Sequence, residues 1–208
     1  MNKPLLLLST ALLLTSTASA LAASSTNLTV KGTITPSACE VEIPSGKVVD
    51  LGKISAKDLS PDRPTLIGDN NLQLKITCLA PTLIALQGID NTGNAPDPYN
   101  YYGLGLVDGK QLGMYGLSVN SATEEGAAIT MLDSQTGATW DELFPGDAWS
   151  RAHLVSFGDN STGSWAPTPV KNVMADLRIQ TIIARTEGMN LNTEIPFEGS
   201  ATLEVKYL

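Results

Sequence analysis

The sequence predicts an all-β domain folded as a sandwich. Composition is the first observation: only 16% of residues are charged, against 18 glycines and 12 prolines. No long Lys/Glu-rich amphipathic stretch is present, as an all-β chain with many turns requires. The second observation is period-two alternation of apolar and polar residues, the pattern of a half-buried strand. It is clearest in Leu72–Cys78, Val173–Ala184 and Gly199–Leu208.

In chain order, Leu28–Ile34 is expected as a strand with Leu28, Val30, Gly32 and Ile34 on one face, ended by Pro36. Cys39–Ile43 follows with Cys39, Val41 and Ile43 aligned, and Pro44-Ser45-Gly46 turns the chain into Val48–Leu51. Leu59–Asn71 is polar, contains Pro61 and Pro64, and reads as a loop. Leu72, Leu74, Ile76 and Cys78 point to one face, which sends Cys78 into the core. Thr82–Gly88 is a further strand, and Ile89–Tyr101 is a turn-rich loop.

Asp108-Gly109, between Tyr102–Val107 and Leu112–Val119, is the strongest short hairpin signal in the chain. Ala128–Leu132 and Thr139–Leu143 flank a turn at Ser134–Gly137. Phe144–Pro169 reads as a long surface connection with at most one short strand, Leu154–Phe157. Val173–Ala184 is the longest strand expected, and Arg185–Glu198 links it to a final strand. There Ala201, Leu203, Val205 and Tyr207 alternate with Ser200, Thr202, Glu204 and Lys206. The spacing fits an immunoglobulin-like Greek-key sandwich.

Met1–Ala22 reads as a secretory signal peptide: Lys3 is its single charge and Leu5–Leu14 is nearly unbroken apolar sequence. Ala18-Ser19-Ala20 and Ala20-Leu21-Ala22 both satisfy the small-x-small cleavage rule. The apolar run falls short of the roughly 20 residues that a spanning helix takes. The expected organisation is therefore signal peptide 1–22, N-terminal extension 23–30 and an exported sandwich domain 31–208.

Without Lys3 the chain has 12 basic and 21 acidic residues, a formal charge of about −9, and no basic run. Such a surface repels phosphate backbones, which excludes nucleic acid as a partner. Cys39 and Cys78 are the only cysteines, and an even count in an oxidising compartment predicts one disulfide. A metal pair would need histidines or more cysteines nearby, and a redox pair favours C-x-x-C spacing.

Four stretches together resemble the pilin (fimbrial subunit) family of Gram-negative chaperone–usher systems. They are Val30-Lys-Gly-Thr-Ile-Thr-Pro-Ser-Ala-Cys39-Glu-Val41, Val49-Asp-Leu-Gly52, Leu72–Cys78 and Gly199–Leu208 with Tyr207 penultimate. The resemblance implies an incomplete sandwich whose missing last strand is supplied by a donor strand. It implies a periplasmic chaperone, an outer-membrane usher and neighbouring pilin subunits as partners, with a host or surface receptor as a further candidate. The groove that takes the donor would be lined by Gly199, Ala201, Leu203, Val205, Tyr207 and Leu208. The donor strand that this chain would offer in turn runs through Ala23, Ser25, Asn27, Leu28 and Val30. Of these only Leu28 and Val30 are bulky and apolar, so acceptance of a strand is expected more firmly than donation.

The search for catalytic chemistry returns little. His153 is the single histidine, Gly-x-Ser-x-Gly is absent, and adjacent Asp141 and Glu142 on a strand would point to opposite faces. Asp90-Asn-Thr-Gly-Asn94 with Asp97 loosely resembles a calcium loop but lacks the distal glutamate. Trp140, Trp149 and Trp165, with Tyr99, Tyr101 and Tyr102, could line a sugar-binding surface or serve as packing. The expectation is a structural, non-enzymatic fimbrial subunit that needs no cofactor, passing through the periplasm to the cell surface. The alternative is a self-complete periplasmic or secreted sandwich that binds carbohydrate or protein without polymerising.

Overall fold

A computed structural model of the chain describes residues 29–31, 38–96 and 100–208. The chain divides into two compact units, Met1–Ile34 and Thr35–Leu208. In the first, residues 29–31 belong to no strand and Val30 is exposed. The expected signal peptide, Ala23, Ser25, Asn27 and Leu28, and the rest of the expected strand Leu28–Ile34 lie outside the described residues. Asp97 and Tyr99 do so too.

The second unit is all-β, with two antiparallel sheets packed on a shared core. The first sheet runs in the order β1 (Cys39–Glu42), β2 (Thr65–Thr82), β13 (Val170–Ile183), β7 (Gly113–Glu124) and β4 (Tyr102–Gly103). A short strand, β8 (Ala127–Ala128), also pairs with β7. The second sheet runs β10 (Asp141–Glu142), β9 (Thr130–Ser134), β11 (Leu154–Asp159), β3 (Ile84–Asp90) and β14 (Ala201–Tyr207). Past the end of the β3 ladder, β12 (Ala166–Pro167) pairs with β11 on the side opposite β9. A separate small hairpin joins β5 (Leu106–Val107) to β6 (Lys110–Gln111).

Alternation decides which residues meet between the sheets. β2 sends Leu74, Ile76 and Cys78 inward, and β13 sends Val173, Ala175, Leu177 and Ile183. From the other side come Ile84 and Leu86 of β3, Val155 and Phe157 of β11, and Met131 of β9. Cys39 lies directly opposite Cys78 in the β1–β2 ladder, and the two form the expected disulfide. The bridge thus binds an edge strand to its neighbour within one sheet. At the β5–β6 turn Asp108 and Gly109 take φ of 49° and 74°, the paired left-handed conformation that a two-residue hairpin requires.

Tyr102 ties the sheets together. Its ring is fully buried and stacks on Tyr115 with centroids 5.1 Å apart. Burial pushes both phenols well above their usual pKa range. The Tyr102 hydroxyl stops against Gly88 of the opposite sheet, where any Cβ would collide with it.

The structure corrects three expectations. β2 begins at Thr65, so the loop expected over Leu59–Asn71 ends at Pro64. The polar run Asp69–Asn71 hides strand in the sequence, yet its backbone pairs with β13 and Arg178 donates from Nε to Asp69 at 2.8 Å. Val48–Leu51 forms no strand. Gly52, at φ 63°, donates its N–H to the Asp50 carboxylate in a turn that seats Leu51 against Gly68.

Phe144–Pro169 is more than a surface connection. Trp149 within it is fully buried, with its backbone N–H donating to the Leu117 carbonyl at 2.8 Å. β11 is an interior strand of the second sheet. A buried tryptophan in a turn-rich segment has no periodicity to announce it.

Two outcomes follow for stability. Replacing Cys39 and Cys78 together by serine should lower unfolding free energy by about 2–4 kcal/mol in urea titrations, since the bridge closes a loop of 39 residues. An unchanged midpoint would contradict that role. Gly88→Ala should cost about 1–3 kcal/mol through displacement of the Tyr102 ring, read by urea titration and by loss of near-ultraviolet tyrosine dichroism.

Candidate functional site

The two sheets end in edges of different character. β4 and β10 have two residues each and β1 has four, whereas β14 has seven. Short edges are the usual protection against pairing with another chain, and β14 lacks it. On one side β14 pairs with β3 through the whole register from Ala201↔Asp90 to Tyr207↔Ile84. On its other side it pairs with no described strand.

The hydrogen bonds fix which backbone groups face that open side. Asn91 N–H donates to Ser200 O at 2.9 Å, and Leu208 N–H donates to Leu83 O at 3.1 Å. In an antiparallel pair residues alternate between bonded and non-bonded positions. The even-numbered residues of β14 are therefore bonded to β3, and Ala201, Leu203, Val205 and Tyr207 turn their N–H and C=O groups outward along the sheet edge. The same four residues carry the side chains that face the core.

None of the four is fully buried: Ala201, Leu203 and Val205 are half-buried against the core, and Tyr207 is 43% exposed. Across from them, Cys39, Val41 and Ile43 of the β1 segment are also only half-covered. The incompletely covered core residues thus concentrate on two flanks, 39–59 and 189–207. Between the lower parts of these flanks opens a cavity of about 330 Å³. Ile54 and Leu59 form one wall, Leu191, Ile195 and Phe197 the other, and Leu112 and Ile183 also line it.

The expected groove residues are accordingly brought together along one edge. Gly199 approaches the first sheet so closely that a Cβ would strike the Tyr115 ring. Leu208 is half exposed. Of the expected donor residues only Val30 is described, and it is 87% exposed. The reading of Arg185–Glu198 as a plain link missed Leu191, Ile195 and Phe197. A signal was available: Ile195, Phe197, Gly199, Ala201, Leu203, Val205 and Tyr207 continue one period-two face. Pro196, which cannot donate to a ladder, disguised it.

The other candidate chemistry is engaged in holding the fold. His153 Nδ1 lies 2.7 Å from Asp133, while the Ser156 hydroxyl donates to Ile84 O and the Ser134 hydroxyl to Thr139 O. Asp90 accepts from Gly93 N–H, Gly103 N–H and the Thr92 hydroxyl, so its oxygens face the chain. Among the described residues no three acidic, histidine or cysteine side chains gather as a metal site. Trp149 and Tyr102 are core residues, whereas Tyr101, Trp140 and Trp165 are half-buried.

Residues 28–100 match the family described as "Protein of unknown function (DUF1120)", a stretch that takes in β1, β2 and β3. Along 91% of its length the chain is 27% identical to "Uncharacterized protein YhcF" of Escherichia coli (strain K12), across 93% of that protein. It is also 27% identical to "Protein GltF" of the same organism, across 91% of this chain and 92% of that one.

Proposed function

We infer that this chain is a structural subunit of fimbrial type, an exported sandwich completed by a β-strand from another polypeptide. The observation that carries the reading is the position of β14. A seven-stranded immunoglobulin sandwich places strands A, B, E and D in one sheet and C, F and G in the other. The order β1-β2-β13-β7 corresponds to A-B-E-D, and the pair β3-β14 corresponds to C-F. The place of strand G lies beside β14, along the edge where Ala201, Leu203, Val205 and Tyr207 present backbone groups that no described strand meets. Strands β9, β10 and β11 extend the sheet on the far side of β3.

The chemistry of completion is β-augmentation. An incoming strand bonds to the outward N–H and C=O groups of β14, while its alternate side chains enter the gap between Leu203 or Val205 and Val41 or Ile43. In this reading a periplasmic chaperone supplies the strand first, and a neighbouring subunit replaces it at the outer-membrane usher. The Cys39–Cys78 bridge holds the opposite flank in place while the edge is empty.

Periplasmic expression with and without the cognate chaperone tests the reading. Co-expression should raise the soluble yield severalfold and give a one-to-one complex, and Val205→Asp should abolish that complex. Equal yield and a stable lone monomer would overturn the proposal and favour a self-complete binding domain. A second expectation concerns magnitude. In the lone chain Leu203→Ala should cost about 1 kcal/mol, well below the 2–5 kcal/mol of an enclosed leucine, because its site is only half covered. In the complex the same change should cost at least twice as much, measured by thermal unfolding of both forms.

A further inference from the structure

The two flanks of the groove are joined differently at different heights. At the lower end they are hinged by backbone bonds, from Thr186 N–H to Ser60 O and from Glu187 N–H to Pro61 O, each 3.1 Å. Two further contacts cross the gap. Cys39 N–H donates to the Tyr207 hydroxyl at 3.0 Å, which fastens the start of β1 to the end of β14. Lys53 Nζ meets Glu194 Oε1 at 2.6 Å. Ile54 and Glu194 both line the apolar cavity, so this ion pair spans its rim.

Both contacts are of a kind that opens easily. The Lys53 and Glu194 side chains are 87% and 86% exposed, so water and salt compete for them directly. The Tyr207 ring is 43% exposed, and its hydroxyl bond to Cys39 is also solvent-accessible. Neither fills the groove nor satisfies the outward groups of Ala201, Leu203 and Val205. They join the two flanks across an edge that no described strand covers.

We propose that Tyr207–Cys39 and Lys53–Glu194 are two latches that keep the vacant groove narrow and set how fast a strand can enter. The inference rests on the strand-acceptor reading and adds a gate to it. A strand that seats beside Tyr207 must free the Cys39 amide. A side chain that enters the cavity must part Lys53 from Glu194. Because both contacts stabilise the empty state, removing either one speeds association.

The test uses the full mature chain and a capped, uncharged eight-residue peptide that alternates valine with threonine, a strand with a bulky apolar residue at every second position, followed by NMR line-shape titration. Tyr207→Phe keeps the ring and removes the hydroxyl; association should accelerate about threefold to tenfold, the range for one net hydrogen bond. Glu194→Gln keeps the size of the side chain and should accelerate association about twofold, as befits an exposed pair. Raising the ionic strength should accelerate the wild type and Tyr207→Phe but leave Glu194→Gln unchanged, a dependence that a merely structural role would not produce. Thermal unfolding establishes that both variants fold. Peptide bound at the same association rate by all three forms would overturn the latches alone. Peptide bound by none of them would overturn the strand-acceptor reading together with the latches.

Discussion

One constraint organises this molecule: a β-strand has two hydrogen-bonding sides, and β14 has a described partner on only one. The β3 side is satisfied over seven consecutive residue pairs. On the other side the outward groups of Ala201, Leu203, Val205 and Tyr207 must be met by water or by another strand. Water meets them at little cost, but it also reaches the half-covered leucine and valine beneath. An edge of this kind, ordered by itself yet only half covered, is what the proposed β-augmentation would use.

The rest of the fold supports that edge. β3 is an interior strand fixed by β11, so β14 is laid against a rigid neighbour. Across the gap β1 is short and would fray by itself, and its bridge to Cys78 binds it to the longest strand of the first sheet. Tyr102, buried between the sheets and abutting Gly88, keeps the separation of the two layers constant just below Leu203, which pairs with that glycine. In the proposed strand-acceptor reading these elements are the anchored walls and the floor of the groove. In the same reading the two crossing contacts, Tyr207–Cys39 and Lys53–Glu194, would be the adjustable parts.

Much of this was legible in the sequence where a single physical signal sufficed. Alternation located β2 from Leu72 onward, β13 and β14; the Asp108-Gly109 pair located a hairpin; the cysteine count located the bridge. The signals failed where two requirements compete. Thr65–Asn71 is strand although it reads as loop, because its polar side chains face outward while its backbone completes the β13 ladder. Ile195 and Phe197 share the parity of β14, but Pro196 between them suppresses strand character. Trp149 is deeply buried in an irregular segment between turns, a position dictated by tertiary packing and invisible to any local period. The edge position of β14 is likewise a property of topology, since alternation reveals a face and not a neighbour.

Site-resolved amide hydrogen exchange along β14 in the lone chain tests the central claim most directly. The account predicts a two-residue rhythm: Thr202 and Glu204, bonded to β3, exchange slowly, while Leu203 and Val205, turned to the open side, exchange at rates close to those of unprotected amides. Uniform slow exchange across all four would mean that the second side of the strand is already occupied, and the account of an open edge would be wrong.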